Sequence, residues 1–525
     1  ELRGVSPFAM LQKIARRADL LAAILSLAAV LAAFLVARQV FEGLAHLEDE
    51  QAFTWQAQAL VRGKVWLPSP ELPKSFLWPF VIDHNGKRFG KYPLGWPLLL
   101  ALGEALDLRI WVNPLLGGLG IWLTYLLGKR TFGPLTGLRA AGLTLSSPFF
   151  LMLAGALLSH PLGLALSAGF VLCWLEAFIE LPGQASFTPQ RRRRAAILAG
   201  LALGALALTR PWTAVGVALP CAFHGIFLLL RGESSTRQRL LLLAGLALCL
   251  ALLHFAWQWA VTGDPRLNPY TLWWPYDQVG FGPGHGPKPE GHTLAKAYQH
   301  LRYDLRRGFQ DLFGWGRLSW IFLPLGLLAI FSKQKRPAWL ARLLLAGPFV
   351  SLLLVYLAYW VGNDIFGPRY YYEGLYGLTI LSAAGIAWLE ERLRWGIGAL
   401  GRRFAGAAQA EKRFHSVAAH GGRFLLALAL LGLVGYNLVS YLPQRLEGLK
   451  GLYGISREKL APFLAEPAQA LTPALVIVHP QRKWIEYGAL LALESPFLDT
   501  PFIFAYSRGA ETDAQLATLY PERRV

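Results

Sequence analysis

The sequence predicts an all-α polytopic membrane protein with a small external α/β module at its C-terminal end. Hydrophobic residues make up 54% of the 525 residues and charged residues only 16%, which is more apolar than a soluble core requires. Apolar runs recur between Leu20 and Leu442, many close to the ~20 residues that cross a hydrocarbon core of ~30 Å. The Lys and Arg residues behind the net charge of +19 lie in short clusters between these runs. Membrane topology explains such clusters better than nucleic-acid binding does.

The predicted spans cross the membrane in alternation, so that every strongly basic linker lies on one side. Cytoplasmic loops carry an excess of Lys and Arg, and Lys13, Arg16 and Arg17 therefore place the N-terminus in the cytoplasm. We predict about eleven spans. An apolar stretch at 94–106 is too brief to cross alone. The predicted spans are residues 19–40, 109–128, 133–152, 157–179, 195–209, 212–230, 240–261, 317–332, 340–361, 374–391 and 424–442.

The same alternation places two long loops and the tail outside the membrane. The first external loop, 41–92, mixes acids, aromatic residues and prolines, and the second, 262–316, is rich in Gly, Pro and Trp. These loops belong to a membrane domain of residues 1–442. In the remaining residues, 443–525, two strand-like runs alternate with short helical stretches, which predicts the external α/β module. The expected location is the inner (plasma) membrane, with the C-terminus outside the cytoplasm.

Three consecutive acids, Glu48, Asp49 and Glu50, follow the outer end of the first predicted span. An aromatic-spaced helical stretch comes directly after them and ends at Gly63, which predicts juxtamembrane helices in the first external loop. Charged side chains at a membrane surface are costly unless they are solvated or used. Taken alone, the acids fit an ordinary solvated loop cluster better than an active site.

Two motifs in this loop resemble the first loop of family 39 glycosyltransferases, a group of GT-C membrane enzymes. That group includes protein O-mannosyltransferases and bacterial aminoarabinose and lipopolysaccharide-core sugar transferases. The sequence departs from the family pattern at Tyr92 and Leu94 and has a longer stretch, 64–90, between the two motifs. The residues that carry the resemblance are Asp49-Glu50, Phe53, Ala57, Leu60 and Gly63, then Lys91-Tyr92-Pro93-Leu94-Gly95-Trp96-Pro97.

The resemblance implies a GT-C fold and a hexosyl- or pentosyltransferase that uses a polyprenyl-phosphate sugar donor. The acceptor would be a lipid, a glycan or a protein on the outer side. Asp49 is implied as the catalytic base, with Glu50 beside it. Inverting transfer needs one carboxylate to take the acceptor proton, and a lipid phosphate leaves already charged. A divalent metal is a possible cofactor: some GT-C enzymes use one and others do not, and Asp49 with Glu50 would permit either.

Three cations on the predicted outer side, Lys91, Arg210 and Arg369, are candidates to bind the donor phosphate. The segment Leu208-Thr209-Arg210-Pro211 resembles an outer turn of the aminoarabinose transferases. The segment Phe366-Gly367-Pro368-Arg369-Tyr370-Tyr371-Tyr372-Glu373 is similar to Gly-Pro-Arg-Tyr segments of bacterial members. For Arg369 the alternative is an interfacial anchor within an aromatic belt. A structural role is the simpler interpretation of His160. Further candidates for substrate contact are Glu48, Tyr92, His160, Tyr370 and Tyr371.

Two alternatives remain beside this interpretation. Histidines and acids in the second loop, His285, His292, His300, Asp264 and Asp277, match no zinc spacing, and glycine-rich loop structure explains them better. The alternative function is a transporter or flippase of lipid-linked saccharides. A transporter should carry ionisable or helix-breaking residues at mid-membrane in two corresponding halves. The sequence shows no such repeat, and its acids cluster in the loop.

Overall fold

The computed structural model describes residues 17–182, 184–332, 336–362, 365–404, 408–481 and 484–525. The predicted N-terminal basic residues Lys13 and Arg16 lie outside the described residues. Most of the described chain is helical, as the apolar runs predict. The helices of the membrane domain are α1 (Ala18–Gln39), α2 (Glu48–Val61), α3 (Gly95–Ala105), α4 (Arg109–Phe132), α5 (Pro134–Leu145), α6 (Pro148–Gly155), α7 (His160–Phe178), α8 (Pro189–Thr209), α9 (Pro211–Arg231), α10 (Ser234–Thr262), α11 (Pro269–Trp273), α12 (Leu294–Asp311), α13 (Leu323–Ile330), α14 (Arg336–Tyr356), α15 (Leu375–Phe404), α16 (Ala408–Tyr436) and α17 (Leu442–Glu447).

Seven helical segments within the described ranges are long and apolar enough to cross a membrane: α1, α4, α7, α9, α10, α14 and the C-terminal segment Gly421–Glu447. Two bent pairs, α5 with α6 and α12 with Gly316–Ile330, bring the number to nine if each pair is one span. The predicted count of about eleven is therefore not confirmed. The predicted spans 195–209 and 374–391 do form helices, within α8 and α15.

One predicted span and the second predicted loop differ from the structure in shape. The segment 133–152 bends by 63° between α5 and α6. Ser147 begins α6 as its N-cap by accepting the N–H of Phe150, and Pro148, which follows it, has no N–H to continue the hydrogen bonds of α5. The second loop, 262–316, contains the 18-residue helix α12, which meets Gly316–Ile330 at 100°.

The first loop, 41–92, contains a small antiparallel sheet besides the predicted juxtamembrane helix. Its strands are β1 (Leu67–Pro68), β2 (Val81–His84) and β3 (Lys87–Gly90), in the order β1-β3-β2. Asn85 and Gly86 join β2 to β3 with φ values of 51° and 75°. This is the conformation that Asn-Gly adopts in two-residue hairpin turns. The sheet was not predicted, because its strands are only two to four residues long.

The tail contains two parallel strands, β4 (Ala474–Val478) and β5 (Phe502–Tyr506), with the short helices α18 (Ala461–Leu464), α19 (Glu466–Gln469) and α20 (Ala510–Leu519). Both strands fall in the two strand-like runs that the sequence predicts between short helical stretches. Buried Leu475, Ile503 and Leu516 pack against Phe76 of the first loop. The tail therefore covers the first loop.

Candidate active site

A cavity of about 530 Å³ lies where the first loop, the second loop, the start of α9 and the segment after α14 meet. Its walls include four predicted site residues: Asp49, Lys91, Arg210 and Arg369. They come from three distant parts of the chain, because Asp49 and Lys91 both belong to the first loop. The structure therefore brings together the proposed base and the three proposed phosphate-binding cations.

The first turn of α2 presents its acids to different surroundings. Glu50 is 1% exposed, and its carboxylate accepts the backbone N–H groups of His46 (2.7 Å), Leu47 (3.0 Å) and Leu157 (2.6 Å). It caps the helix and ties it to the turn before α7. Glu50 does not line the cavity. Asp49, its neighbour, faces the cavity with its side chain 22% exposed.

Asp49 is held as a carboxylate by its neighbours. The Tyr92 hydroxyl donates to its Oδ1, and Arg369 Nη1 lies 3.4 Å from its Oδ2. Burial acts to raise the pKa of Asp49. The charge of Arg369 and the Tyr92 hydrogen bond, with smaller contributions from Lys91 and Arg210, outweigh burial and hold that pKa below its ordinary value.

Lys91 is enclosed by aromatic rings and by one acid. Its Nζ lies 3.5 Å from the centre of the Phe80 ring, and the rings of Tyr92, Tyr270 and Trp274 lie about 5 Å away. Asp277 Oδ2 is 3.4 Å from Nζ, and both side chains are almost fully buried. Burial lowers the pKa of Lys91, while Asp277 and then Asp49 act in the opposite direction. The ion pair with Asp277 and the aromatic rings thus stabilise the Lys91 ammonium group in apolar surroundings.

Arg210 lies between α8 and α9 and points into the same cavity. Its Nε is 3.2 Å from Glu373 Oε1, its Nη1 donates to Ser159 (3.2 Å) and its Nη2 to Tyr356 (3.4 Å). Gly95 of the first-loop motif packs directly on this turn, where a Cβ would lie 2.4 Å from the Thr209 hydroxyl. The glycine therefore allows the Lys91 motif to approach the Arg210 turn.

Glu373 is a fully buried acid behind the cavity wall. Its Oε1 also contacts His160 Nδ1 at 3.0 Å, so one carboxylate oxygen serves both His160 and Arg210. Within the described ranges its Oε2 has no hydrogen-bond partner. Gly163 leaves the space that this carboxylate fills, since a Cβ there would lie 2.7 Å from Oε1. His160 lines the cavity, and its observed contact with Glu373 orients its ring.

The remaining predicted contacts divide between the cavity and other places. Tyr370 lines the cavity and stacks on Tyr356 with ring centres 4.5 Å apart. Tyr371 does not line it, and its hydroxyl donates to the Asp304 carbonyl. Glu48 lies at the rim and accepts a hydrogen bond from Trp484 of the tail at 2.9 Å.

Asp49 and Glu50 do not form a shared metal donor set, because they face different sides of α2. Across the part of the chain that the structure describes, no group of three or more His, Cys, Asp or Glu side chains is arranged to hold a metal ion. His292 of the second loop instead contacts the Leu357 carbonyl at 2.8 Å.

Sequence reasoning missed Glu373 and Asp277 as site residues. Glu373 ends the segment that contains Arg369, yet its partners Arg210 and His160 lie more than 160 positions away in the sequence. Asp277 was weighed only as a metal ligand. A single acid in a loop has no local signal that shows which cation it will meet.

The fold is similar to that of solved structures of ArnT. The crystal structure of ArnT from Cupriavidus metallidurans bound to undecaprenyl phosphate has a TM-score of 0.56 and 16% identity, covering 96% of this chain and 88% of that chain. Its apo state gives the same values. The oligosaccharyltransferase AglB from Archaeoglobus fulgidus, with an inhibitory peptide and a dolichol-phosphate, has a TM-score of 0.43 and 13% identity, covering 77% and 55%. No protein-family model matches the sequence, and no curated protein matches it. The predicted all-α polytopic fold of the GT-C type is confirmed.

Proposed function

We propose that this chain, which has the GT-C fold, transfers a sugar from a polyprenyl-phosphate donor to an acceptor hydroxyl on the outer side of the inner membrane. The observation that carries the proposal is the convergence of Asp49, Lys91, Arg210 and Arg369 on one cavity. A carboxylate beside three cations is the set of groups that displacement of a phosphate from a sugar requires.

The three cations are the proposed donor-phosphate site. Arg210 and Arg369 offer guanidinium groups that bind phosphate through paired hydrogen bonds, and Lys91 adds a point charge. Each cation contacts a carboxylate in the structure. Arg210 contacts Glu373, Arg369 contacts Asp49 and Lys91 contacts Asp277. An arriving phosphate would take over part of these contacts.

Asp49 is the proposed base for an inverting reaction. The acceptor oxygen forms a bond to the anomeric carbon while its proton moves to Asp49. The bond from that carbon to the phosphate oxygen breaks on the opposite face, and its electron pair leaves with the phosphate. When Arg369 turns to the phosphate, Asp49 loses its strongest stabilising charge, and its pKa rises. Donor binding would therefore make the base stronger.

A donor with a lipid tail suits the position of the cavity. Val215 lines the cavity and belongs to α9, a helix that is long and apolar enough to cross a membrane. A membrane helix thus forms part of the cavity wall. The likeness to a fold solved with undecaprenyl phosphate supports the same class of donor.

The proposal is tested with the full chain in lipid nanodiscs, given polyprenyl-phosphate monosaccharides and membrane extract as acceptor. We expect release of polyprenyl phosphate and transfer of labelled sugar. Arg210→Ala and Arg369→Ala should each raise the donor KM by about 10- to 100-fold, the range for hydrogen bonds to charged groups. Arg191→Ala is the matched control, since Arg191 is exposed and pairs with Glu176.

Two outcomes would contradict the proposal. One is that no donor is consumed by the wild-type chain. The other is that Arg210→Ala and Arg369→Ala behave like the Arg191→Ala control. Translocation of intact donor across the membrane, without release of polyprenyl phosphate, would instead support the transporter alternative.

A further inference from the structure

The cavity contains one buried acid, Asp277, that the proposed reaction does not use. Asp277 belongs to the second loop, is 3% exposed and lines the cavity. Its Oδ2 forms the ion pair with Lys91 at 3.4 Å. An anion beside a proposed phosphate-binding cation weakens the binding of a phosphate there, so its presence requires an explanation.

Asp277 is fixed in place by the segment that follows α14. Tyr359 and Trp360 each donate a hydrogen bond to its Oδ1 at 3.1 Å. The loop around it is tied to the same segment, because the Gly280 N–H donates to the Ala358 carbonyl at 2.8 Å. These hydrogen bonds fix the position of the Asp277 carboxylate beside Lys91.

Lys91 depends on this acid for its charge balance. The four rings around its Nζ attract a cation but carry no net charge. A buried cation without a counter-ion is costly, and a ligand phosphate would take the place of Asp277 as its partner. Asp277 and the phosphate therefore compete for the same ammonium group.

We propose that Asp277 is an internal counter-ion that competes with ligand phosphate for Lys91 and so promotes release of the polyprenyl phosphate product. The inference rests on the proposed function. The donor phosphate is a diester with one negative charge, whereas the product is a monoester with about −1.5 to −2 charges at pH 7. Repulsion scales with charge, so Asp277 disfavours the product more than the donor. It is a positioning residue that sets the balance between donor binding and product release.

The test measures the Kd of a polyprenyl phosphate for the full chain in nanodiscs, together with donor KM and kcat. Asp277→Asn removes the charge but keeps an oxygen that accepts from Tyr359 and Trp360. We expect the Kd for polyprenyl phosphate to fall by about tenfold or more. The donor KM should fall less, and kcat should fall because product leaves slowly. A variant with merely damaged structure would not bind product more tightly.

Two controls isolate the Lys91 contact. Asp264→Asn removes the same charge from an exposed position of the second loop and should leave the Kd unchanged. In a Lys91→Ala background, Asp277→Asn should tighten the Kd by less than it does in the wild type, because competition for the ammonium group is gone and only direct repulsion of the phosphate remains. If Asp277→Asn does not fold, Asp277→Ser replaces it and keeps a smaller acceptor.

The outcomes separate the two claims. If Asp277→Asn binds polyprenyl phosphate as the wild type does, or more weakly, the inference is wrong while the donor site stands. Tightening of the same size in Asp264→Asn would also overturn it. If the wild-type chain binds no polyprenyl phosphate, the inference and the proposed function both fail.

Discussion

Adjacent carboxylates can serve different purposes when a helix turns them to different sides. Asp49 faces the cavity and two hydrogen-bond donors from side chains, whereas Glu50 accepts three backbone N–H groups in the interior. The sequence motif pairs them as catalytic candidates. The geometry supports a chemical role for Asp49, which faces the cavity. It supports a structural role for Glu50, which joins the start of α2 to the turn before α7.

Glu50→Gln tests this division. Glutamine offers one acceptor oxygen and places an amide N–H₂ against a backbone donor, so at least one buried N–H loses its partner. We expect a loss of unfolding free energy of ~1–3 kcal/mol, with activity reduced in step with stability. Glu104→Gln, which weakens a partly exposed pair with Arg109, should cost less than ~1 kcal/mol. A Glu50→Gln protein with wild-type thermal stability and no activity would give Glu50 the chemical role instead.

How much of the site was predictable depended on whether a residue stands in a local motif. Asp49, Lys91, Arg210 and Arg369 each stand in one, and all four line the cavity. Tyr371 stands in the same motif as Arg369, yet a turn of 3₁₀ helix, Arg369–Gly374, points it away from the cavity. Acids such as Glu373 are recognised only through partners that folding brings near.

At the scale of elements, the tail is joined to the first loop by buried and by exposed contacts. Arg88 of β3 is 4% exposed and donates to the Pro496 carbonyl at 2.8 Å. Arg62, at the end of α2, forms an ion pair with Asp499 in which both side chains are about half exposed. Because burial removes the competition of water, the first contact should hold the module more strongly than the second.

Arg88→Ala and Arg62→Ala test that ranking. We expect Arg88→Ala to lower the unfolding free energy by ~1–3 kcal/mol and to expose the tail to limited proteolysis. Arg62→Ala should change it by less than ~1 kcal/mol. Equal effects of the two substitutions would show that burial of Arg88 does not anchor the tail.

Glu494 gives the junction between tail and first loop a pH dependence. Burial raises its pKa from the ordinary 4.5 to about 7, against the opposing bonds from Phe504 and Trp78 and the charge of Arg88. Between these two values the folded chain holds a proton that the unfolded chain releases, so this group's contribution to stability falls as the pH rises from about 4.5 to about 7.

We therefore expect Glu494→Gln to flatten part of the decline of the melting temperature across that pH range. Part of the decline in melting temperature should remain in the variant, because burial also raises the pKa of Glu50 to about 7. An unchanged pH profile in Glu494→Gln would contradict the assignment.

For the molecule as a whole, hydrophobic runs predicted where most helices lie but not how they bend. Period and length identify an apolar helix, and they say little about a 63° break at Ser147 or a 100° turn after α12. The Asn85-Gly86 hairpin signal was present in the sequence and was not used. The tail strands were found because each is an apolar run of five residues that stands between short helical stretches.

The contacts between the tail and the first loop require both to lie on one side of the membrane. We propose that this is the outer side, because the basic linkers are expected in the cytoplasm. In sealed right-side-out vesicles, added protease should cut the tail, and detergent should not be needed. Protection of the tail until detergent is added would reverse the orientation of the whole chain.

The central claim is that Asp49 is the base of a sugar transfer from polyprenyl phosphate. Its most direct test is the initial rate of labelled sugar transfer by the purified full chain and by Asp49→Asn, with folding checked by thermal unfolding. Asparagine keeps the shape and can still accept from Tyr92, but it cannot take a proton. The expected result is a fall in kcat of ~10² to 10⁴, the range for loss of a general base. Transfer by a well-folded Asp49→Asn protein at the wild-type rate would contradict the claim.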